Sequence, residues 1–543
     1  MTPSVSEIRV QDIDHCGIVA GIIDQMCLVE QINQILGTHH QEIVSSGQAV
    51  KAMILNGLGL VSAPLYLFEK FFVGKATEHL LGEGISPEHL NDDRLGRVLD
   101  KLYEAGLTQV FVTVALAAAK KFGVEKDSLH LDSSSFHVHG EYTNNSTEGS
   151  GKPREITITK GYSRDHRPDL KQFIVDLMCS GDGDIPLYLN LRVADGNEAD
   201  SAVFAQILKE FRHQWEIDAL FVADAALYTE GNLKQMDSLR WLSRVPATLT
   251  TAQLLLEKMS QEAFVDSIVT GYRIAECCCD YGGVKQRWLV VESEARAAAD
   301  LKQLEKRLTK HLQQAQSQLR QLSQQEFACA ADAIQASGRF ETQQRFHELA
   351  ELEIIEHKRH AKSGRPRKDA QPQQCYYQIR ATVVPNELAI ATEKQRAGRF
   401  ILATNVLDAQ QLSNDDLLKQ YKAQQSTERG FRFLKDPLFF TSSVFLNSKE
   451  RVAALAMVMG LCLLVYTLGQ RALRQALAQA KQTINNQLGK PTASPTMRWV
   501  FQCFMSIHLV TIAGFQHITN LTDERRWILQ FLGAPCRKYY LLT

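Results

Sequence analysis

The chain has 543 residues, 45% of them apolar and 22% charged, with a formal net charge of −1. That length admits about two to four domains, and the composition is that of an ordinary globular protein. A charge so near zero excludes an overall basic field as the means of holding nucleic acid, so any DNA-binding surface has to be local. The 11 cysteines show no paired CxxC spacing of a zinc site, and Cys277, Cys278 and Cys279 are consecutive in a strand-like run. They read as reduced thiols of a cytoplasmic protein. Residues 1–20 carry acids and a histidine and no apolar run, so no secretory signal is expected there.

Residues 1–125 predict an all-α domain. Segments 22–36, 47–61, 65–72, 86–105 and 107–122 are amphipathic and separated by Gly, Asn or Pro signals. Asp92-Asp93-Arg94 opens a run that suits a helix-turn-helix element or a plain helical bundle equally well, because periodicity does not separate the two.

From Ser128 the period changes to that of strands. LHLDSSSFHVHG (129–140) places His130, Asp132, Ser134 and Phe136 on one side and Leu129, Leu131, Ser133 and Ser135 on the other. Segments 173–179 and 186–193 predict a hairpin about Gly181-Asp182-Gly183-Asp184, where the two acids read as turn formers. A helix over 197–211 follows, then DALFVA (218–223), an apolar run typical of a buried strand, which ends in Asp224. Hairpins, a helix and a buried strand together predict a mixed α/β sheet. His137 and His139 share a strand face as zinc ligands sometimes do, but no third ligand stands at a suitable spacing.

Residues 247–395 break that rhythm and predict an inserted α+β domain. Helix 254–260 and strands 268–275 and 286–292 precede a long charged helix over 296–323. A second helical arm is expected over 340–360, then a basic loop (357–374) and a strand over 376–384. The loop's Gly364-Arg365-Pro366-Arg367-Lys368 core resembles the short arms that lie in an A·T minor groove. It makes Arg365, Arg367 and Lys368 candidate DNA contacts beside the bland reading of a solvated loop. Segment 161–172 is a second basic candidate, with many of its charges cancelled. A strand over 399–405 and a helix over 421–435 then complete the earlier pattern. Run 452–469 is apolar and long enough for a membrane test, but its small residues predict a buried core helix and no membrane partner.

The helix YKAQQSTERGFRFLK (421–435) organises the functional reading. At about 100° per residue, Gln424, Glu428 and Lys435 fall within about 60° of Tyr421, beside an apolar stripe. One narrow face thus carries a phenol, an amide, a carboxylate and an ammonium, with the carboxylate turned toward the core. A carboxylate so placed costs free energy unless it is paired or binds a metal. Asp132 and Asp224 stand on or at the end of strands, where sheet folds place function. Three converging acids repel one another unless Mg²⁺ or Mn²⁺ lies among them. Two such ions about 4 Å apart activate a hydroxyl and stabilise the leaving oxygen of a phosphodiester. Neither a GxxxxGK[ST] loop nor a strand–GxGxxG–helix unit is present, which argues against nucleotide-driven chemistry.

These residues resemble an insertion-sequence transposase with a DDE triad. The pattern Tyr-x2-Arg-x3-Glu-x6-Lys, the signature of the superfamily named after insertion sequence four, stands here as Tyr421, Gln424, Glu428 and Lys435, with Gln at the Arg position. ERGFRFLKDPLFF (428–440), GRFILATN (398–405) and LHLDSSSFHVHG are most similar to the insertion sequence 1634 group. The resemblance spans essentially the whole chain. It implies a ribonuclease-H-like core over 126–246 and 396–480, an insertion domain over 247–395, DNA end recognition by residues 1–125 and a helical C-terminal region over 481–543. It further implies that Asp132, Asp224 and Glu428 are catalytic and hold two divalent ions, and that Tyr421 and Lys435 touch DNA phosphate. Arg429 and Arg432 are the candidates to stand in for the missing arginine as DNA phosphate contacts. The expected partners are DNA, as terminal inverted repeats and target, and a second copy in a homodimer. The expected location is the bacterial cytoplasm, at the nucleoid. A nuclease on the same core without strand transfer, or a DNA-binding protein whose catalysis has decayed, are the alternatives.

Overall fold

A computed structural model gives the structure of the protein over residues 8–60, 63–64, 67–138, 159–160, 171–193, 200–359, 374–436 and 448–542. The segments 161–170 and 360–373, with Arg365, Arg367 and Lys368, lie outside the described residues, as does His139. The chain forms two compact units. One comprises Met1–Ser243, Gly282–Val284 and Lys419–Thr543, the other Arg244–Tyr281 and Lys285–Leu418.

The first unit begins with β1 (Ile8–Asp12) and the helices α1 (Cys16–Met26), α2 (Leu28–Leu36), α3 (Ser46–Gly57), α4 (Phe68–Phe72), α5 (Thr77–Leu81), α6 (Asp92–Glu104) and α7 (Leu107–Lys121). The single helix expected over 22–36 is two. Cys27 adopts the left-handed conformation (φ 56°), which ends α1 and restarts the chain as α2. Ser45 and Gln48 form a capping box that starts α3.

Next come β2 (Ser128–Val138), β3 (Thr159–Lys160), β4 (Lys171–Ser180), β5 (Pro186–Val193), α8 (Asp200–Trp215), β6 (Leu220–Ala223), α9 (Glu230–Gln235) and β7 (Arg240–Arg244). They build a mixed sheet in the order β5-β4-β2-β6-β7, with β3 beside the start of β4. The pairs β2–β4 and β4–β5 are antiparallel, while β2–β6 and β6–β7 are parallel. Every residue of β6 is buried, as a parallel strand between neighbours requires.

The second unit contains α10 (Thr250–Lys258), β8 (Val265–Asp266), β9 (Tyr272–Tyr281), β10 (Val284–Ser293), α11 (Glu294–Gln324), α12 (Ala330–Gln343), β11 (His347–Arg359), β12 (Gln374–Pro385), α13 (Glu387–Arg396) and β13 (Arg399–Thr404). The second helical arm expected over 340–360 is instead the end of α12 followed by β11. Its stretch HELAELEIIEHKR pairs antiparallel with β12 over nearly its whole length. Pairing with a distant strand overrides local helical periodicity. Leu319, Phe340, Phe327 and Ile379 fill small cores between this hairpin and α11 and α12.

The first unit resumes through α14 (Asn414–Lys422), which starts in the second unit, and continues with α15 (Gln425–Leu434), α16 (Lys449–Ala480), β14 (Ile484–Asn485), β15 (Pro491–Thr492), α17 (Met497–Cys503), β16 (His508–Ile512), β17 (Phe515–Thr519), α18 (Asp523–Gln530) and α19 (Ala534–Arg537). Helix α16 is long and apolar enough to cross a membrane, but 83% of its most apolar window is buried inside the protein. It is the central core helix, packed against α1, α3, α6, α7, α15 and β5.

The N-terminal region differs from the all-α domain expected of it. Strand β1 pairs with β16, and β16 with β17. Its helices share one unit with the sheet, because their apolar faces are covered by α16 and by α19. Tyr540 Oη donates to the Asp14 carbonyl at 2.6 Å, and Tyr539 Oη to Asp24 at 2.6 Å. Buried Lys51 donates to Asp24 at 2.7 Å and to Tyr539 at 2.8 Å.

Candidate active site

The register of β2 against β6 pairs Leu131 with Ala223, so Asp132 and Asp224 follow one residue later on neighbouring parallel strands. Such strands lie about 4.8 Å apart. Alternation turns both residues to the same face, because Asp224 keeps an extended backbone (φ −72°, ψ −174°). The Asp224 carboxylate accepts from the Ala226 N–H at 2.9 Å, and the Asp132 carboxylate from the Ser133 N–H at 2.8 Å. Ser243 on β7 donates to the Asp224 carbonyl at 2.7 Å and holds the strand end in place.

That face is covered by α15, which packs on β2 and β4. Leu177 on β4 is registered opposite Asp132, and Cys179 opposite His130. Gly430 lies directly over them: a Cβ there would stand 2.8 Å from Leu177 Cδ2 and 3.3 Å from Leu463 Cδ2. The bare backbone lets the helix sit close to the sheet. Phe431 packs at 6.4 Å from Phe136, which stacks on Phe173 at 5.8 Å.

The stretch 421–435 is not one continuous helix. Ser426 and Thr427 donate to the carbonyls of Ala423 and Gln424, three residues back, and this tightening separates α14 from α15. The angular relation of Tyr421 to Glu428 on one straight helix therefore does not hold. Nor does Glu428 face the core. Ser426, Thr427, Gly430, Phe431, Phe433 and Leu434 are the buried positions of α15, and Glu428 is exposed on its first turn. Tyr421 and Gln424 are half-buried, and Arg432 and Lys435 are exposed. The Lys435 ammonium lies 5.4 Å over the Phe136 ring.

Arg429 makes a two-pronged ion pair, with Nε and Nη2 donating to Asp184 at 2.6 and 2.7 Å. The other acid of the β4–β5 turn, Asp182, accepts from Arg471 of α16 and from the Glu125 N–H at 3.0 Å. Beneath them His130 is fully buried, with neither ring nitrogen hydrogen-bonded. Burial pushes its pKa down to about 4; Asp184 acts to raise it and Arg429 to lower it. On the opposite face of the sheet, Asp176 is fully buried. It takes Arg192 Nε at 3.0 Å, Ser133 Oγ at 2.5 Å and Asn190 Nδ2 at 3.3 Å. None of these partnerships is visible in the sequence, where the arginines lie far from the acids that hold them. The GDGD spacing is the one local signal, and it signals a turn.

Transposase DDE domain is the family matched over residues 125–466, well over half of the chain. The chain belongs to that family. The matched range of this DDE transposase starts at the edge of β2 and ends inside α16, so it contains Asp132, Asp224 and Glu428. Residues 8–116 match a domain of unknown function, DUF4277. Among solved structures the transposase is similar to a piggyBac transposase synaptic complex with hairpin DNA, at 10% identity and a TM-score of 0.35, covering 96% of this chain and 80% of that one. No curated protein matches it.

The donor chemistry of Asp132, Asp224 and Glu428, oxygen only, fits a hard divalent cation. The structure brings the two aspartates side by side and α15 over the same face. Among the described residues no three His, Cys, Asp or Glu side chains converge closely enough to hold a metal ion, so the exposed Glu428 is not drawn in to the pair.

Proposed function

We propose that the protein is the transposase of an insertion sequence, of the insertion sequence four superfamily and closest in motif to the 1634 group. It cuts DNA at the ends of its element and joins the freed 3′-OH to target DNA. The observation that carries this reading is the placement of Asp132 and Asp224 on adjacent parallel strands, under the helix that bears Glu428. The strand order β5-β4-β2-β6-β7, three antiparallel and then two parallel, supports a ribonuclease-H-like core.

In this reading Asp132, Asp224 and Glu428 would hold two Mg²⁺ or Mn²⁺ ions. The ions supply an activated hydroxyl and stabilisation of the leaving oxygen. In the first step the water oxygen bonds to phosphorus, the bond to the 3′ oxygen breaks, and a 3′-OH and a 5′-phosphate result. In the second, that 3′-OH bonds to a target phosphorus and displaces the target's own 3′ oxygen, so one phosphodiester replaces another. Lys435, Arg432 and Tyr421 hold the DNA phosphates next to the reacting bond, and exposed cations at the end of α15 suit that role. Arg365, Arg367 and Lys368 are further DNA contacts, and two copies pair two element ends.

The test is strand cleavage of a linear DNA carrying the element's end, in Mn²⁺. Cleavage by the wild type and none by Glu428→Gln or Asp224→Ala supports the reading. Joined products from a pre-cut end with a free 3′-OH mark a transposase, and their absence marks a nuclease. Equal cleavage by wild type and Glu428→Gln would sink the assignment.

A further inference from the structure

We propose that the β14–β15 hairpin is a DNA-contacting finger. Its Leu488 tip enters the minor groove, and Lys481, Lys490 and Arg526 around its base hold the flanking phosphates. The inference rests on the DNA substrate of the function proposed above.

The charge of the chain is unevenly spread. Residues 451–543 hold ten Lys and Arg against two Asp and Glu, and neither acid lies between 451 and 522, in a protein whose net charge is −1. The local basic surface that a neutral chain needs for DNA therefore has its material here. The fold then sorts those cations. Arg451 pairs with Asp100 at 2.8 Å, Arg498 with Asp436 at 3.1 Å, Lys538 with Asp24 at 2.7 Å, and Arg471 with Asp182, all of them acids from earlier in the chain. Arg474 donates to the Pro495 carbonyl, and Arg525 to those of Cys503 and Met505. Lys481, Lys490 and Arg526 are exposed, and among the described residues they make no ion pair.

These three gather at the hairpin. Lys481 ends α16 and leads into β14, and Lys490 leads into β15. Trp527, next to Arg526, donates through Nε1 to the Thr483 carbonyl at 3.4 Å, which brings the start of α18 to the base of β14. Trp499 Nε1 holds the Asn485 carbonyl at 2.7 Å, and buried Ile484 roots the hairpin in the core.

The tip is firm, bare and apolar. Asn486 Oδ1 accepts from the N–H groups of Leu488 and Lys490 at 2.9 and 3.0 Å, and the Asn486 N–H donates to the Lys490 carbonyl at 2.8 Å. Gly489 turns the chain at φ 69°, and a Cβ on it would meet nothing within 4 Å, so the tip stands clear of the rest of the fold. Leu488 is 78% exposed there. Asn, Gln and Lys around a projecting Leu are the side chains with which proteins enter the minor groove, the polar ones for its edges and the apolar one as a wedge between base steps. A hairpin lying on the backbone alone has no use for that leucine.

The test is binding of the full-length chain to linear duplex DNA without divalent ions, by fluorescence anisotropy over a series of salt concentrations. Lys481→Ala/Lys490→Ala/Arg526→Ala should lower the slope of log affinity against log salt by about 3, one for each lost phosphate contact. Lys481→Arg/Lys490→Arg should keep the slope. Inosine in place of guanine removes the amino group from the minor groove and leaves the major-groove pattern unchanged. Wild type should bind the inosine duplex severalfold more tightly, and Leu488→Ser should lose that preference with its salt slope intact. An unchanged slope in the triple variant overturns the finger, and a preference kept by Leu488→Ser overturns its entry into the groove. If the triple variant does not fold, Lys481→Ala/Lys490→Ala decides in the same way, with an expected fall of about 2. Failure of the underlying reading looks different: a wild type that binds no duplex DNA removes the substrate, whereas one that binds it as tightly and as salt-dependently as the variants removes the finger alone.

Discussion

Asp132 and Asp224 stand in the same row of the sheet, one residue past the Leu131–Ala223 pair that ends the parallel register of β2 and β6. The chain between them folds into a hairpin, a helix and a buried strand before it returns to the same spot. Two acids placed side by side in this way repel each other, and a shared cation relieves that repulsion.

Asp132→Asn and Asp224→Asn are therefore expected to abolish metal-dependent cleavage while leaving the fold intact. Stabilisation of transition-state charge by metal ions is worth several kcal/mol, so each variant should lose about 10²-fold or more in rate. Single-turnover cleavage with circular dichroism alongside checks this. A variant that retains wild-type rates removes its residue from the site.

Gly430→Val should push α15 off β4. The added atoms meet Leu177 and Leu463, and overpacking of this kind costs about 1–3 kcal/mol. Urea unfolding reads the loss. Cleavage should fall further than stability alone accounts for, because Glu428 rides on the displaced helix.

Asp176→Ala should be among the most damaging substitutions away from the site. Arg192 is almost fully buried against Asp176, and removing one partner of a buried pair costs about 3–5 kcal/mol. Loss of soluble, cooperatively unfolding protein is the expected outcome. A drop below about 1 kcal/mol would mean that Arg192 finds water or another acceptor.

Acid should destabilise the protein through His130. An unfolded histidine titrates near 6.5, whereas burial holds this one down to about 4. Above pH 6.5 both states are neutral and the group contributes nothing to the pH dependence. Between 6.5 and 4 the unfolded chain takes up a proton that the folded one refuses, so stability falls as pH falls, by about 1.4 kcal/mol per unit. From pH 7 to 5 the loss is about 2 kcal/mol. His130→Leu should shrink the measured difference by that amount, and an unchanged difference would refute the assignment. His15, also buried and held at about 4 by burial, should act in the same direction.

Lys435→Ala should weaken binding to DNA of any sequence and lower the slope of log affinity against log salt by about 1, the signature of one lost phosphate contact. An unchanged slope leaves Lys435 over Phe136 as a packing feature only.

Much of the sheet was legible because its signals are local. The alternation of 129–136, the turn at GDGD and the apolar run before Asp224 each state their own structure. The relation of Glu428 to those strands was legible only in part. Periodicity extended one helix through Ala423 and Gln424, where a change in hydrogen-bonding pattern ends it, and it turned Glu428 inward where the buried positions are its neighbours Thr427 and Phe431. The reading of 340–360 as helix failed because its partner strand β12 starts only at Gln374, outside the stretch whose periodicity was read. The N-terminal helices looked like a self-contained bundle since nothing in residues 1–125 announces that their apolar faces wait for α16 and α19.

That last feature sets an order on synthesis. His508 bonds to Asp12 across 496 residues at 2.7 Å, and at roughly 5–20 residues per second the ribosome needs on the order of a minute to make the intervening chain. Throughout that interval the faces of the first helices that α16 and α19 cover in the folded protein lack those partners. An N-terminal fragment expressed by itself should therefore aggregate where the full chain does not.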